Sequence, residues 1–348
     1  MFRNSMKKIL LSATTFVAVI SLVLTGCGDD NNSESASSAN KPSIVVTTNI
    51  LGDVVTNMVG DSFNVEVIMP PGSDPHDFQA SAQQVQKMME ADLLIVNGAN
   101  FEEGMLDVIE NAESDGVMIF EAISVVSQLE GSDDHGDHGG HDDHEGHDDH
   151  DEEGHDDHDE EGHDDHEGHD HGGIDPHFFT DPARMAVVAE GLSEFLVANF
   201  PDIGGFASTA NDYVQQLRDL DADVEEILSV IGNNERALVT NHAVFAYFAD
   251  RYSFTVLGEI IPSSSTLASA SAQQLTSLAE EIKENNVKAI FADASSSDAL
   301  AQTLAAEVEG VEIINLYTES LGDPGSSGQS YIDMVRFNAQ AIASALVE

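Results

Sequence analysis

The sequence predicts an α/β protein of two lobes, each a parallel sheet flanked by helices, with two consecutive long helices at their junction and a disordered insertion rich in histidine and acidic residues. Two observations predict the lobes. Short β-branched runs alternate with segments of helical periodicity in both halves of the chain, and such strand–helix–strand units build parallel sheets. Two long helical segments follow one another near the middle and break the alternation. The 348 residues are sufficient for two hydrophobic cores of ordinary size.

The N-terminal segment has the pattern of an export signal followed by a tether. Basic residues precede an apolar run, which is short for a membrane-spanning helix of about 20 residues. The run ends in Leu24-Thr25-Gly26-Cys27, which resembles the bacterial lipobox and implies cleavage before Cys27 and a lipid on its sulfur. We expect a signal peptide at 1–26 and a lipidated flexible tether at 27–42. The alternative is an uncleaved anchor with a chance cysteine. Since Cys27 is the one cysteine, no intrachain disulfide can form.

Residues 43–180 are predicted to form the N-terminal lobe. Apolar, β-branched or alternating runs indicate four strands, at 43–50, 63–70, 92–98 and 117–122. Helical spacing of apolar residues indicates helices between them, at 51–59, 81–91 and 102–111. Ser81 is a suitable N-cap for the second of these helices.

The two lobes are predicted to meet at a helix spanning 181–200. Asp181-Pro182 indicates its start, because Asp can cap a helix and Pro is tolerated in the first turn. A second long helix follows at 206–230. The C-terminal lobe, 201–348, repeats the outline of the first lobe without a detectable sequence repeat. Its strands are expected at 236–241, 254–260, 289–293 and 311–317, and its other helices at 243–251, 271–285, 297–308 and 329–346.

The formal net charge of −52 narrows the choice of partners. The insertion contains 20 of the 64 acidic residues, so the rest of the chain has 44 acidic residues and only 12 Lys and Arg. A surface so acidic argues against nucleic acid and anionic lipid headgroups as partners, and it favours cations. A salty habitat or a role in solubility are alternative explanations of this charge.

The insertion at 131–173 holds 12 of the 15 histidines and has no lysine, arginine or apolar residue. The unit HDDHDEEG begins at His147 and again at His155, and it resumes at His163. Imidazoles mixed with carboxylates at short spacing attract divalent transition metals, so we expect weak binding. Three roles stay open: gathering or sensing zinc, storing it, or incidental binding. The candidate weak ligands are His135, His138, His141, His144, His147, His150, His155, His158, His163, His166, His169 and His171.

The other three histidines, His76, His177 and His242, lie just after predicted strands or at junctions between loops and helices. Ligands of open parallel sheets bind beyond the carboxyl ends of the strands. Two of these histidines follow Asp-Pro, which restricts the backbone before the imidazole. A lone loop histidine is usually a surface residue, but three in similar settings favour a shared metal site.

Four motifs carry a family resemblance, and they extend it over about 43–348. PPGSDPHDFQASAQQVQKMMEADLLIVNG, GIDPHFFTDP, VTNHAVFAYFADRY and LYTESLGDPGSSGQSYIDMVRFN resemble the zinc- and manganese-binding receptors of bacterial ABC importers, the cluster A-I, zinc-uptake or adhesin-lipoprotein family. The resemblance implies two metal-binding lobes joined by one long rigid helix, which corresponds to 181–200. It also implies metal held between the lobes by His76, His177, His242 and Glu319, the last standing where the family usually has aspartate. Glu259 and Asp323 are lower-ranked candidates for that corner.

The ligand set indicates the metal. Manganese members resemble one another in having glutamate at the third position, whereas this chain has His242. Three imidazoles and one carboxylate suit zinc, and manganese prefers more oxygen, although copper and nickel also bind such ligands. Because histidine must be deprotonated to bind, the sequence predicts that affinity falls below about pH 6.

We therefore expect a monomeric, extracytoplasmic receptor, not an enzyme, that carries Zn(II) as transported ligand to an ABC permease with its ATPase. The lipid on Cys27 would anchor it to a membrane, in the periplasm or at the cell surface. The alternatives are a receptor for manganese or another divalent metal, and an extracytoplasmic zinc store or metallochaperone. A zinc hydrolase is a remote alternative, since the chain has no HExxH motif and no general base beside a histidine in these motifs.

Overall fold

The computed structural model describes residues 41–131, 173–308 and 310–347. In this part of the chain, eight strands form two parallel sheets of four, and helices flank them, which confirms the predicted α/β class. The predicted signal peptide and almost all of the predicted tether and of the histidine-rich insertion lie outside the described residues. Within these residues, no helix is both long and apolar enough to cross a membrane.

The first sheet has the strand order β2-β1-β3-β4. Its strands are β1 (Ser43–Val46), β2 (Asn64–Val67), β3 (Leu93–Val96) and β4 (Ile119–Glu121). Its helices are α1 (Asn49–Val59), α2 (Ala82–Met89) and α3 (Leu106–Ser114). The two central strands, β1 and β3, are almost entirely buried, as their continuous apolar sequences predict.

The second sheet has the order β6-β5-β7-β8, which is the order of the first sheet again. Its strands are β5 (Ala237–His242), β6 (Thr255–Ile261), β7 (Ala289–Asp293) and β8 (Glu312–Leu316). Its helices are α6 (Ala246–Tyr252), α7 (Ala272–Glu284), α8 (Ala299–Glu307) and α9 (Tyr331–Val347). The similar layout predicted for the two halves is therefore a shared topology.

Two consecutive helices, α4 (Pro182–Asn199) and α5 (Phe206–Leu228), lie between the sheets in the chain. Asp181 caps α4, because its Oδ1 accepts hydrogen bonds from the N–H groups of Ala183 and Arg184 at 2.8 and 3.3 Å. Helix α5 packs against α1, α4 and α9, so one hydrophobic core extends from the helices of the first sheet to those of the second. The domain boundaries and the linker role of α4 stay predictions.

Some boundaries differ from the predicted ones for local reasons. The strand predicted at 43–50 ends at Val46, because the Thr48 side chain accepts a hydrogen bond from the N–H of Leu51 and caps α1. The helix predicted at 243–251 begins only at Ala246, because the N–H groups of Ala243 and Val244 donate to the C=O groups of Ser263 and His242 in a loop after β5.

The loop after β8 is attached to α9 through Asn338, which is 8% exposed. Its Oδ1 accepts a hydrogen bond from the N–H of Tyr317 at 3.0 Å, and its Nδ2 donates to the C=O of Tyr317 at 2.7 Å. The side-chain amide thus pairs with both polar groups of one peptide residue, as a neighbouring strand would.

We predict that Asn338→Ala lowers the free energy of unfolding by about 1–3 kcal/mol, because it leaves two partly buried backbone groups without partners. Urea unfolding of the metal-free protein measures this loss. Gln340→Ala, at an exposed position of the same helix, is the matched control and should change stability by less than about 0.5 kcal/mol. Equal effects of the two substitutions would contradict the role of Asn338.

Candidate metal centre

Four side chains from separate parts of the chain meet between the two sheets. His76 lies in the loop after β2, His177 directly before a short 3-10 turn, His242 at the end of β5, and Glu319 just after β8. All four are buried, and one potential ligand atom from each lies within 4.8 Å of the others. These are the four residues that the sequence predicts as ligands.

The two lower-ranked acids stay outside this group. Asp323 is exposed to solvent, and Glu259 is a half-buried residue within β6. Among the described residues, the one group of at least three His, Cys, Asp or Glu side chains that could hold a metal ion is His76, His177, His242 and Glu319.

The spacing around Glu319 Oε1 suits a small ion. Its distances to the Nε2 atoms of His76, His177 and His242 are 2.8, 3.2 and 3.1 Å. A tetrahedron with zinc bonds of about 2.0–2.1 Å has edges of about 3.3 Å, so these three oxygen–nitrogen distances are close to the edges of a zinc site.

Several atoms of the group lack a hydrogen-bond partner. These are Glu319 Oε2 and both ring nitrogens of His242, since the 3.1 Å contact of His242 Nε2 with Glu319 is not aligned as a hydrogen bond. Buried polar atoms are nearly always satisfied, so unsatisfied ones at one point indicate a missing partner. A cation bound by His242 Nε2 and the Glu319 carboxylate gives these two groups a partner, whereas His242 Nδ1 stays without one.

The two Asp-Pro-His motifs form the same local turn. Asp74 Oδ1 accepts a hydrogen bond from the N–H of His76 at 2.9 Å, and Asp175 Oδ1 accepts one from the N–H of His177 at 2.8 Å. Asp side chains commonly bind their own backbone two residues on. Each Asp therefore fixes the backbone from which the imidazole projects.

Carboxylates also orient two of the three imidazoles. Glu103 Oε1 lies 2.9 Å from His76 Nδ1, and Asp175 Oδ1 lies 2.8 Å from His177 Nδ1. Because a carboxylate only accepts, we assign a proton on Nδ1 to both rings, which leaves Nε2 to face Glu319 and available to a metal. In contrast, His242 Nδ1 has no partner.

An aromatic ring packs against one side of the site, and hydrogen bonds fix the loop on the other side. Phe101, only 1% exposed, lies edge-on to the rings of His76 and His177, with centroid distances of 5.2 and 5.5 Å. On the Glu319 side, Asn49 of α1 donates through Nδ2 to Ser320 Oγ and accepts from the N–H of Leu321, both at 2.8 Å. A residue of the first sheet's helix thus fixes the loop that carries Glu319.

Burial and charge shift the pKa values in opposite directions. Burial alone would lower the pKa of His76 and raise that of Glu319. The negative charge of Glu319 and the hydrogen bond to Glu103 outweigh burial and raise the pKa of His76 to about 10. The charges of His242 and His76 in turn hold the pKa of Glu319 well below its usual range. The metal-free group therefore keeps a proton where a metal would bind.

The sequence analysis missed three acids that contact or face the site. Glu103 and Asp175 bind the Nδ1 atoms described above. Asp293, the last residue of β7, is 2% exposed, and burial together with the charge of Glu319 raises its pKa to about 6. Asp293 ends a buried strand at the same edge as His242 ends β5, so the strand-end pattern that identified His242 also applied to Asp293.

Comparison with known proteins gives a consistent result over nearly the whole chain. The family described as "Zinc-uptake complex component A periplasmic" matches residues 44–345. The manganese ABC transporter substrate-binding lipoprotein PsaA of Streptococcus anginosus is 26% identical over 350 residues, which cover 98% of this chain and 99% of the relative. The manganese-binding lipoprotein MntA of Halalkalibacterium halodurans is 25% identical over 343 residues, with coverage of 98% and 99%.

Solved structures share the fold. The periplasmic zinc binding protein TroA from Treponema pallidum aligns with a TM-score of 0.72 and 25% identity, covering 88% of this chain and 100% of that one. The Mn-bound periplasmic metal binding protein of Candidatus Liberibacter asiaticus aligns with a TM-score of 0.69 at 19% identity and the same coverage. The second likeness concerns the fold alone.

Because the pKa of His76 is raised, we expect metal affinity to depend on pH at higher pH values than the limit of about pH 6 predicted for unperturbed histidines. With a pKa of about 10, the ring is protonated in the metal-free protein throughout the neutral range. A metal must displace this proton, so affinity falls as pH falls and rises as pH rises, by at least about tenfold per pH unit between pH 6 and 8. Zinc titration calorimetry in buffers of different protonation enthalpy measures the protons released. Affinity independent of pH above 6.5 would contradict the assignment.

Proposed function

The chain belongs to the periplasmic zinc-uptake complex component A family, and we propose that it is the extracytoplasmic receptor that binds Zn(II) with high affinity and delivers it to an ABC importer. The family consists of substrate-binding receptors of ABC transporters and not of enzymes, which confirms the prediction of a non-enzymatic role. The observation that carries the proposal is the buried group of three imidazoles and one carboxylate.

In this proposal the Nε2 atoms of His76, His177 and His242 and the carboxylate of Glu319 bind the metal. Zinc replaces the proton held between His76 and Glu319, and it gives His242 Nε2 and the Glu319 carboxylate a partner. The carboxylates of Glu103 and Asp175 increase the basicity of the histidines that they contact. Capture thus needs no chemistry beyond exchange of protons for metal.

Delivery follows from the origin of the ligands. They come from segments associated with both sheets, and all four are buried. Metal can therefore enter or leave only when these segments separate. We propose that docking on the membrane permease separates them, and that the associated ATPase drives transport of the released ion.

Manganese is the second candidate cargo, because the relatives cited above carry manganese in their names. The donor set supports zinc instead. Zinc accepts histidine nitrogens in a tetrahedron, whereas manganese prefers sites richer in carboxylate, carbonyl and water oxygens. With three nitrogen donors and one carboxylate, the group has the chemistry of a zinc site.

The remaining parts of the proposal concern segments outside the described residues. Lipidation of Cys27 would hold the receptor at a membrane surface, next to the permease. The histidine-rich insertion would bind zinc weakly, to gather or sense it, and a store or incidental binding are its alternative roles. We propose a monomeric receptor, since one chain supplies all four ligands.

We predict that the protein binds one zinc ion tightly and prefers it to manganese, and that His242→Ala lowers zinc affinity at least tenfold because it removes a ligand. Competition with a chromophoric chelator measures zinc affinity, and displacement of zinc by added manganese measures preference. Tighter binding of manganese than of zinc would overturn the choice of metal while leaving the receptor role intact.

A pair of acids in one loop provides the matched control for this experiment. Glu319→Gln removes the proposed carboxylate ligand and should also weaken zinc binding at least tenfold. Asp323→Asn makes the same chemical change at an exposed position four residues further on, and it should leave the affinity unchanged.

Deletion of residues 133–171 separates the insertion from the buried site. We predict that the shortened protein retains one tight zinc site and loses several weak ones, since the four proposed ligands all lie outside the deletion. Zinc titration calorimetry of both proteins counts the two classes of site. Loss of the tight site would show that the insertion contributes ligands to it.

A further inference from the structure

The insertion is bordered by two short segments that pair with each other, 129–131 and 173–175, which we call the neck. Glu130 and Ile174 form an antiparallel bridge. The N–H of Gly131 donates to the C=O of Gly173 at 3.0 Å, and the N–H of Asp175 donates to the C=O of Leu129 at 2.9 Å. The neck thus ends two residues before His177.

A tyrosine hydroxyl replaces one hydrogen bond of this ladder. In an antiparallel pair, two opposite residues normally exchange both N–H···O=C bonds. Here the N–H of Leu129 donates instead to the hydroxyl of Tyr247 at 3.0 Å, and that hydroxyl donates to the C=O of Asp175 at 2.8 Å. Tyr247 is completely buried, so its hydroxyl is a structural member of the neck.

Arg184 of α4 contacts Tyr247 and the backbone just before the neck. Its guanidinium carbon lies 4.8 Å from the centroid of the Tyr247 ring, a cation–π distance. Its Nε donates to the C=O of Ser127 at 3.3 Å, and its two terminal nitrogens bind Asp181 and Asp250. The ring of Tyr247 is therefore fixed independently of its hydroxyl.

The contacts of Tyr247 connect two of the proposed ligands. Tyr247 lies in α6, five residues after His242 in the chain. The residue that it binds, Asp175, holds both the backbone N–H and the Nδ1 of His177 at 2.8 Å. A short path therefore runs from the His242 backbone through the Tyr247 hydroxyl to the His177 ring, whose centroid is 5.5 Å from that of His242.

We propose that Tyr247 is a positioning residue of the metal centre: its hydroxyl fixes Asp175 and the neck, and thereby sets the spacing of His177 from His242. This inference rests on the proposed function, since it concerns the same four ligands. It assigns the neck a second role beyond bordering the insertion, because any displacement of the neck is transmitted to a metal ligand through Asp175.

Tyr247→Phe tests the inference, because it removes the hydroxyl and keeps the buried ring against Arg184. We expect about tenfold weaker zinc binding by the full-length protein, the lower end of the 10–100-fold loss typical of direct partners of a metal-binding histidine. The measurement is competition with a chelator strong enough to remove metal from the histidine-rich insertion. Asp175→Asn, which alters the direct partner, should weaken binding at least as much.

Tyr213→Phe is the matched control, since the buried hydroxyl of Tyr213 in α5 has no hydrogen-bond partner. It should leave zinc affinity unchanged. Cobalt(II) bound in place of zinc provides a signature that loss of stability does not produce. Its visible absorption, which depends on coordination geometry, should change in Tyr247→Phe and Asp175→Asn but not in Tyr213→Phe.

The outcomes distinguish a failure of the proposed function from a failure of the positioning role of Tyr247. If the unsubstituted protein binds no metal tightly, the proposed function fails. If it binds zinc tightly and Tyr247→Phe shows the same affinity and cobalt spectrum, or loses only thermal stability in the metal-free state, the positioning role is overturned. Should Tyr247→Phe not fold, Asp175→Asn decides: unchanged affinity and spectrum in that variant overturn the role of the neck.

Discussion

The structure depends on one constraint, the burial of the Glu319 carboxylate against three imidazoles. A charge removed from water is costly unless it is paired and hydrogen-bonded. The metal-free protein meets this requirement with protons, which is why the pKa of His76 rises to about 10 while that of Glu319 falls. In the proposed function, a divalent ion replaces these protons and gives His242 Nε2 and the Glu319 carboxylate a partner.

The double sheet explains how one chain brings these ligands together. Both sheets have the same strand order, and His242 and Glu319 lie at or just beyond the carboxyl ends of β5 and β8. Hydrogen bonds join the loops of the two halves: Asn49 binds the residues that follow Glu319, and the hydroxyl of Thr266 donates to Asp74 Oδ2 at 2.7 Å. Since Asp74 also binds the backbone N–H of His76, these hydrogen bonds link the positions of His76 and Glu319.

Sequence patterns predict the helices and strands better than they predict the contacts between side chains from different parts of the chain. Strand and helix periodicity predicts both sheets and the order of their elements, and the strand-end rule identifies His242 from its residue type and location. Glu319 required a family resemblance, because nothing in its local sequence separates it from Asp323. Glu103 and Asp175 were missed as partners of the imidazoles because hydrogen bonding to a ring nitrogen depends on tertiary approach. The raised pKa of His76 could not be predicted for the same reason, since it depends on Glu319 and Glu103 lying close to the ring.

The three imidazoles are held in two different ways, and the backbone explains the difference. His76 and His177 lie in loops, where each needs a carboxylate on Nδ1 and an Asp on its backbone N–H to fix the ring. His242 has no partner on Nδ1, but it belongs to β5, paired in register with Ile261 of β6. The sheet thus supplies the rigidity that the loops obtain from hydrogen bonds. Tyr247 extends this rigidity, because it connects the segment that follows β5 to Asp175 and so to the loop that carries His177.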